Sequence, residues 1–185
     1  MSKLLGKPGL LSNSSVSSLD QVLVSSLERF YDPVKNPRNL AAFKAVLDGK
    51  SQVSLRSLEY LVTNYAKKTG LAYTHHGKPF NVFQEYRAQL DSFSKNFFDP
   101  FRRGSKITFH GIETAVCQLN YFRWVLRSGL LEYCTAHSHD IRADMLDATR
   151  KRKTAEGEPK RRRELSKSKS KECHVATASF THSFG

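Results

Sequence analysis

The sequence predicts a mainly α fold: a single helical domain with one small β-hairpin, followed by a disordered basic tail. Three observations predict it. Apolar residues recur at helical spacing from Ser18 almost to Thr149. One stretch, residues 106–115, alternates with period two across a His-Gly turn. Between Arg150 and Glu172 stand 11 basic and 4 acidic residues, a net +7 of the chain's +13, and Leu165 is the only aliphatic residue there larger than alanine. Such a segment buries too little apolar surface to offset the entropy of ordering it, so residues 150–185 are expected to be a solvated, low-complexity tail. Without it about 150 residues remain, enough for one domain with its own core. Residues 1–17, rich in serine, are expected to be a flexible N-terminal segment.

Each element of the domain, residues 18–149, has a local cause. Ser18 and Gln21 have capping-box spacing, Leu19, Val22, Leu23, Leu27 and Phe30 follow at helical intervals, and Asp32-Pro33 stops the run. Asn36-Pro37 opens a second helix bearing Leu40, Phe43, Val46 and Leu47, with Gly49 as its left-handed cap. Ser54 caps a third, in which Leu55, Leu58, Leu61, Val62 and Tyr65 face inward, Lys67 and Lys68 complement the helix dipole, and Gly70 ends it. Leu71–Thr74 reads as a short extended segment and His76–Pro79 as a turn. A fourth helix carries Val82, Phe83, Tyr86, Leu90 and Phe93, and Phe97–Phe101 forms a loop held by its aromatics. The hairpin pairs Lys106–Phe109 with Ile112–Ala115. A broad apolar face then runs over Val116, Leu119, Tyr121, Phe122, Val125 and Leu126, and after Gly129 the spacing continues through Leu130, Tyr133, Ile141, Met145 and Leu146.

Four blocks in this order resemble an uncharacterised protein family of large nucleocytoplasmic DNA viruses. They are Ser54–Lys68; Phe80-Asn81-Val82 with Tyr86 and Gln89-Leu90; Phe98–Arg103; and Thr114 with Gln118–Trp124. The chain departs from the family pattern at Cys117, where glycine is usual, at Glu59-Tyr60, which replaces Asp-Trp, and in a shortened hairpin turn. The resemblance implies a viral protein made in an infected cell and carried in the virion or acting in the host nucleus or a cytoplasmic virus factory. It implies no activity.

Chemistry-bearing motifs are few. Glycine-rich phosphate loops, HExxH, GxSxG and CxxC are all absent, so the chain is expected not to be an enzyme and to need no cofactor. An odd set of cysteines, Cys117, Cys134 and Cys173, points to reduced thiols. No run of 18 apolar residues is present, so no membrane span is expected. Asp140 and Asp144, one turn apart, are read as a solvated helix face rather than a metal site; Cys134, His137 and His139 fall short of a zinc set; His75 and His76 are read as exposed turn residues. Trp124 is assigned to the core, and Arg123 to covering apolar surface or pairing with a carboxylate. Whether Arg56, Arg87 and Arg127 converge with it is open.

The composition instead makes a polyanion the expected partner. Expected contacts are Arg150, Lys151, Arg152, Lys153, Lys160, Arg161, Arg162, Arg163, Lys167, Lys169 and Lys171 of the tail, with Arg102, Arg103 and Lys106 on the domain. The leading expectation is a virion-associated protein that binds nucleic acid without regard to base sequence. The alternative is a minor capsid or structural interaction protein packed against other virion proteins; a cationic domain surface would favour the first and a large exposed aromatic patch the second. Pro159–Arg163 also has the form of a nuclear import signal. Because every periodic apolar position precedes the tail, a chain truncated after Thr149 should keep its helical circular dichroism and a cooperative melt; a non-cooperative melt would move the boundary.

Overall fold

The computed structural model describes the backbone of residues 18–101 and 105–155 and the side chains of 21–101 and 105–152. These residues form α1 (Ser18–Phe30), α2 (Pro37–Leu47), α3 (55–69), β1 (Ala72–His75), β2 (Lys78–Asn81), α4 (Val82–Phe97), β3 (Lys106–Phe109), β4 (Ile112–Ala115), α5 (Val116–Arg127), α6 (Leu130–Ala136) and α7 (Ser138–Ala155). The fold is mainly α, as the apolar periodicity requires. The chain divides into two units, residues 1–148 and 149–185. The described part of the second is the end of α7, so Arg150–Lys153, assigned to the tail by composition, are helical.

Local signals act where the sequence places them. Ser54 Oγ accepts the Ser57 N–H at 3.1 Å at the start of α3, and Gly70 closes that helix at φ 66°. Within α3 the residues Leu61–Tyr65 widen into a π-turn, beside which the Thr63 hydroxyl donates to the Glu59 carbonyl. After α1, Asp32 Oδ1 accepts the N–H groups of Val34 and Lys35 at 2.9 and 3.0 Å, which turns the chain before α2. Val22, in the periodic set, is 67% exposed, whereas Tyr31, one residue past the helix, is fully buried.

There are two hairpins where one was expected. β1 pairs antiparallel with β2, and β3 with β4. Pro79 obscured the first, because proline cannot donate to a ladder and reads as a strand breaker; in a two-stranded hairpin it sits on a strand with a free edge. Both hairpins turn on His-Gly with positive φ at both residues, 50° and 74° at His76-Gly77 and 47° and 76° at His110-Gly111, the backbone a two-residue hairpin loop demands. Each runs directly into a helix. Asn81 Oδ1 caps α4 by accepting the Gln84 N–H at 3.0 Å. Ser94 (φ 55°, ψ 170°) then breaks α4 near its end, leading into the Phe97–Phe101 loop.

The core forms around α5, in which eight of twelve residues are buried, including the polar Gln118 and Asn120. Tyr31, Phe43, Phe109 and Phe122 meet through edge-on or tilted rings 5.2–5.9 Å apart. Phe98, Tyr121 and Trp124 form a second aromatic group on the other side of α5, joined by Tyr86. Ile141, fully buried, docks α7.

Two core tyrosines differ in one respect. The Tyr31 hydroxyl donates to the Leu119 carbonyl at 2.9 Å, whereas the equally buried Tyr121 hydroxyl has no partner among the described residues. Burial holds both phenols protonated, with pKa values well above the usual tyrosine range. Tyr31→Phe should therefore destabilise the fold by about 1 kcal/mol, while Tyr121→Phe removes an unpaired buried hydroxyl and should leave stability unchanged or raise it. Chemical denaturation of the two variants checks the contrast, and an equal loss in both would contradict it.

Candidate functional site: an arginine cleft

Ser26, Arg29 and Phe30 lie at i, i+3 and i+4 on α1, and Arg123 and Arg127 at i and i+4 on α5, so each set shares one helix face. The two helices pack together, and the five side chains line one cleft of about 240 Å³. Arg123 is its floor. The guanidinium Nη1 donates to Ser26 Oγ at 2.8 Å and Nη2 to Asn120 Oδ1 at 2.6 Å. Asn120, 2% exposed, is itself fixed by donating from Nδ2 to the Phe97 carbonyl at 2.9 Å. Arg123 thus rests on a hydroxyl and an amide rather than on a carboxylate, the second of the two roles considered for it. Arg127 sits with its guanidinium carbon 5.9 Å from the centre of the Phe30 ring.

Arg127 is held from the far side by the first hairpin. His75 Nε2 donates to the Arg127 carbonyl at 2.8 Å, and the Tyr73 hydroxyl to the Ser128 carbonyl at 2.7 Å, satisfying two of the carbonyls that end α5. His75 is therefore a half-buried capping residue and not the exposed turn residue expected; His76 is exposed. The arrangement gathers three guanidinium groups without an ion pair to any of them among the described residues. Burial lowers the Arg123 pKa, and the neighbouring Arg127 charge lowers it further. Like charges at i and i+4 cost a helix a few tenths of a kcal/mol, a cost that an anion in the cleft would reverse.

The other expected residues fall elsewhere. Arg56 and Arg87 are exposed and do not line the cleft. Lys106 is exposed, with its ammonium 4.0 Å from Glu113 across the second hairpin. Arg102 and Arg103 lie outside the described residues, as do Lys160, Arg161, Arg162, Arg163, Lys167, Lys169, Lys171 and the Lys153 side chain. The loop that leads to Arg102 is fixed internally: Asp99 Oδ1 accepts the Phe101 N–H at 3.0 Å, the Asp99 N–H donates to the Cys117 carbonyl at 3.2 Å, and Gln118 Nε2 donates to the Pro100 carbonyl at 2.8 Å. Arg150, Lys151 and Arg152 are exposed on α7.

Nor do the metal candidates assemble. Cys134 is fully buried with its thiol pushed up to about 12 by desolvation, whereas the His139 side chain is 95% exposed. His137 stacks on Tyr133, ring centres 4.1 Å apart, and its Nδ1 donates to the Tyr133 carbonyl. Among the described residues no three His, Cys, Asp or Glu side chains gather. Asp144, read from sequence as half of a solvated pair, is instead a tie between helices: it pairs with Lys68, and Oδ2 accepts the Tyr60 hydroxyl at 2.7 Å. Burial and this carboxylate together push the Tyr60 pKa up to about 12. Asp144→Ala, which leaves the Tyr60 hydroxyl without its charged acceptor, should cost about 1–2 kcal/mol in stability, and much less in a Tyr60→Phe background. Additive losses in the double variant would show that the two groups act separately.

Comparison with known proteins adds kinship. A family of unknown function, DUF7197, matches residues 16–179, and the chain belongs to it. It is 34% identical over 122 residues to "Uncharacterized protein L507" of Acanthamoeba polyphaga mimivirus, an alignment covering 58% of this chain and 47% of the relative. The chain thus spans about half the length of that relative. No solved structure matches.

Proposed function

We propose that this member of a family with a giant-virus relative is a non-enzymatic, nucleic-acid-associated viral protein whose basic C-terminal segment grips phosphates without regard to base sequence. The observation that carries the reading is the concentration of charge after residue 149: a net +7 between 150 and 172, beginning on the last helical turns of α7 with Arg150, Lys151 and Arg152. Each lysine or arginine that neutralises a phosphate releases condensed counterions, so such a segment binds any duplex and does so in a salt-dependent way. Carriage in the virion, with action in the host nucleus or a cytoplasmic factory, belongs to the same reading.

The character of the domain surface favours this over a capsid-interior packing protein. Among the described residues the large exposed apolar side chains are Val22, Val34, Phe101 and Leu146, of which only Phe101 is aromatic, and the cleft is lined by three arginines. Affinity for duplex DNA of arbitrary sequence should fall log-linearly with salt concentration. Replacing Arg150–Lys153 and Lys160–Arg163 by glutamine or serine should reduce the slope by about 0.9 for each phosphate no longer neutralised, up to about 7 in all. An unchanged slope, or a base preference surviving the replacement, would transfer recognition to the domain.

A further inference from the structure

We propose that the arginine cleft between α1 and α5 is a binding site for the phosphate monoester of a nucleotide, separate from the C-terminal segment and independent of what that segment binds. Three features carry it. Arg29, Arg123 and Arg127 line one concavity with no ion pair to any of the three among the described residues. Arg123 is held in place before any ligand arrives, through Ser26 on one helix and Asn120 on the other. Ordinarily much of the cost of using an arginine is the freezing of its long side chain; here the packing of the domain has already met it.

The dimensions and lining select the ligand. A cleft of about 240 Å³ is smaller than the roughly 300–1,000 Å³ that encloses a drug-sized molecule, so it takes a phosphoryl group and little beyond it. A monoester carries close to two negative charges near neutral pH, where an internal diester of the nucleic-acid backbone carries one, and three clustered cations favour the former. Guanidinium forks match phosphate oxygens two at a time. The remaining wall is the Phe30 ring, an apolar face that suits the sugar or base following a nucleotide phosphate. A phosphopeptide would instead bring backbone N–H and C=O groups, which that ring cannot satisfy.

The test uses the full chain. Inorganic phosphate, adenosine monophosphate, and a short single-stranded oligonucleotide with a 5′-phosphate or a 5′-hydroxyl are titrated while the arginine side-chain NMR signals are followed. Phosphate should bind saturably, shifting those signals in the wild type. Arg29→Gln and Arg127→Gln, both at exposed positions, should each weaken binding about tenfold or more, the scale of one missing charge-assisted hydrogen bond. Arg123→Lys, which keeps the charge but removes the fork, should weaken it similarly and also lower the melting temperature, because Asn120 Oδ1 loses its donor; the exposed Arg29→Gln and Arg127→Gln variants should melt near the wild type. The 5′-phosphorylated oligonucleotide should bind at least tenfold tighter than its hydroxyl counterpart, and that preference should vanish in the Arg29→Gln variant. Adenosine monophosphate binding as tightly as the phosphorylated strand would identify a free nucleotide as the source of the monoester; weaker binding would identify a strand end. Replacing Arg150–Lys153 by glutamine should leave phosphate affinity intact even where it abolishes duplex binding, so the two sites fail separately. Non-saturable phosphate effects, equal binding of the two oligonucleotides, or tighter binding of a phosphoserine peptide than of either would overturn the assignment.

Discussion

The structure depends on one constraint: eight of the twelve residues of α5 are buried, so the side-chain amides it carries must find partners inside. An unpaired buried amide costs about 1–3 kcal/mol, and α5 carries two. Gln118 meets the requirement by donating to the Pro100 carbonyl and accepting from Thr114. Asn120 meets it by donating to the Phe97 carbonyl and accepting from Arg123. These pairings fix the loop before β3 and aim Arg123 at Ser26. The placement of Arg123 in the cleft is therefore a by-product of satisfying a buried helix.

Much of this was legible in the sequence. The caps at Ser54 and Gly70 and the second hairpin follow from residues whose local preferences agree with the fold, whereas the break at His137 and the extension of α7 to Ala155 do not show in the apolar spacing. Pro79 hid the first hairpin, since an isolated strand with proline in it looks broken until its partner is seen. The cleft was half-visible. Arg123 and Arg127 share a face by spacing alone, as do Ser26, Arg29 and Phe30, but nothing in the sequence says that these two faces meet, because that depends on how α1 docks against α5. Asp144 misled for the same reason: its partners Tyr60 and Lys68 lie 84 and 76 residues away.

The distribution of charge has two regimes. After residue 149 the cations are many, sequential and borne by a segment with almost no apolar residues, which suits loose contact with a long polyanion. In the cleft they are three, drawn from two helices, and one of them, Arg123, is fixed by uncharged partners. The Arg127 charge bears on Arg123, which its bonds to Ser26 and Asn120 hold in place.

The direct passage from each hairpin into its helix, with no connecting residue between β2 and α4 or between β4 and α5, has a mechanical consequence. A strand that becomes a helix without a linker has no joint at which to bend, so strand and helix move together like the arm and shaft of a crank. A load applied at the His76-Gly77 or His110-Gly111 tip would reach the core as torque on the helix behind it. The domain offers two such handles at its surface, one leading to the buried shaft that carries Arg123 and Arg127.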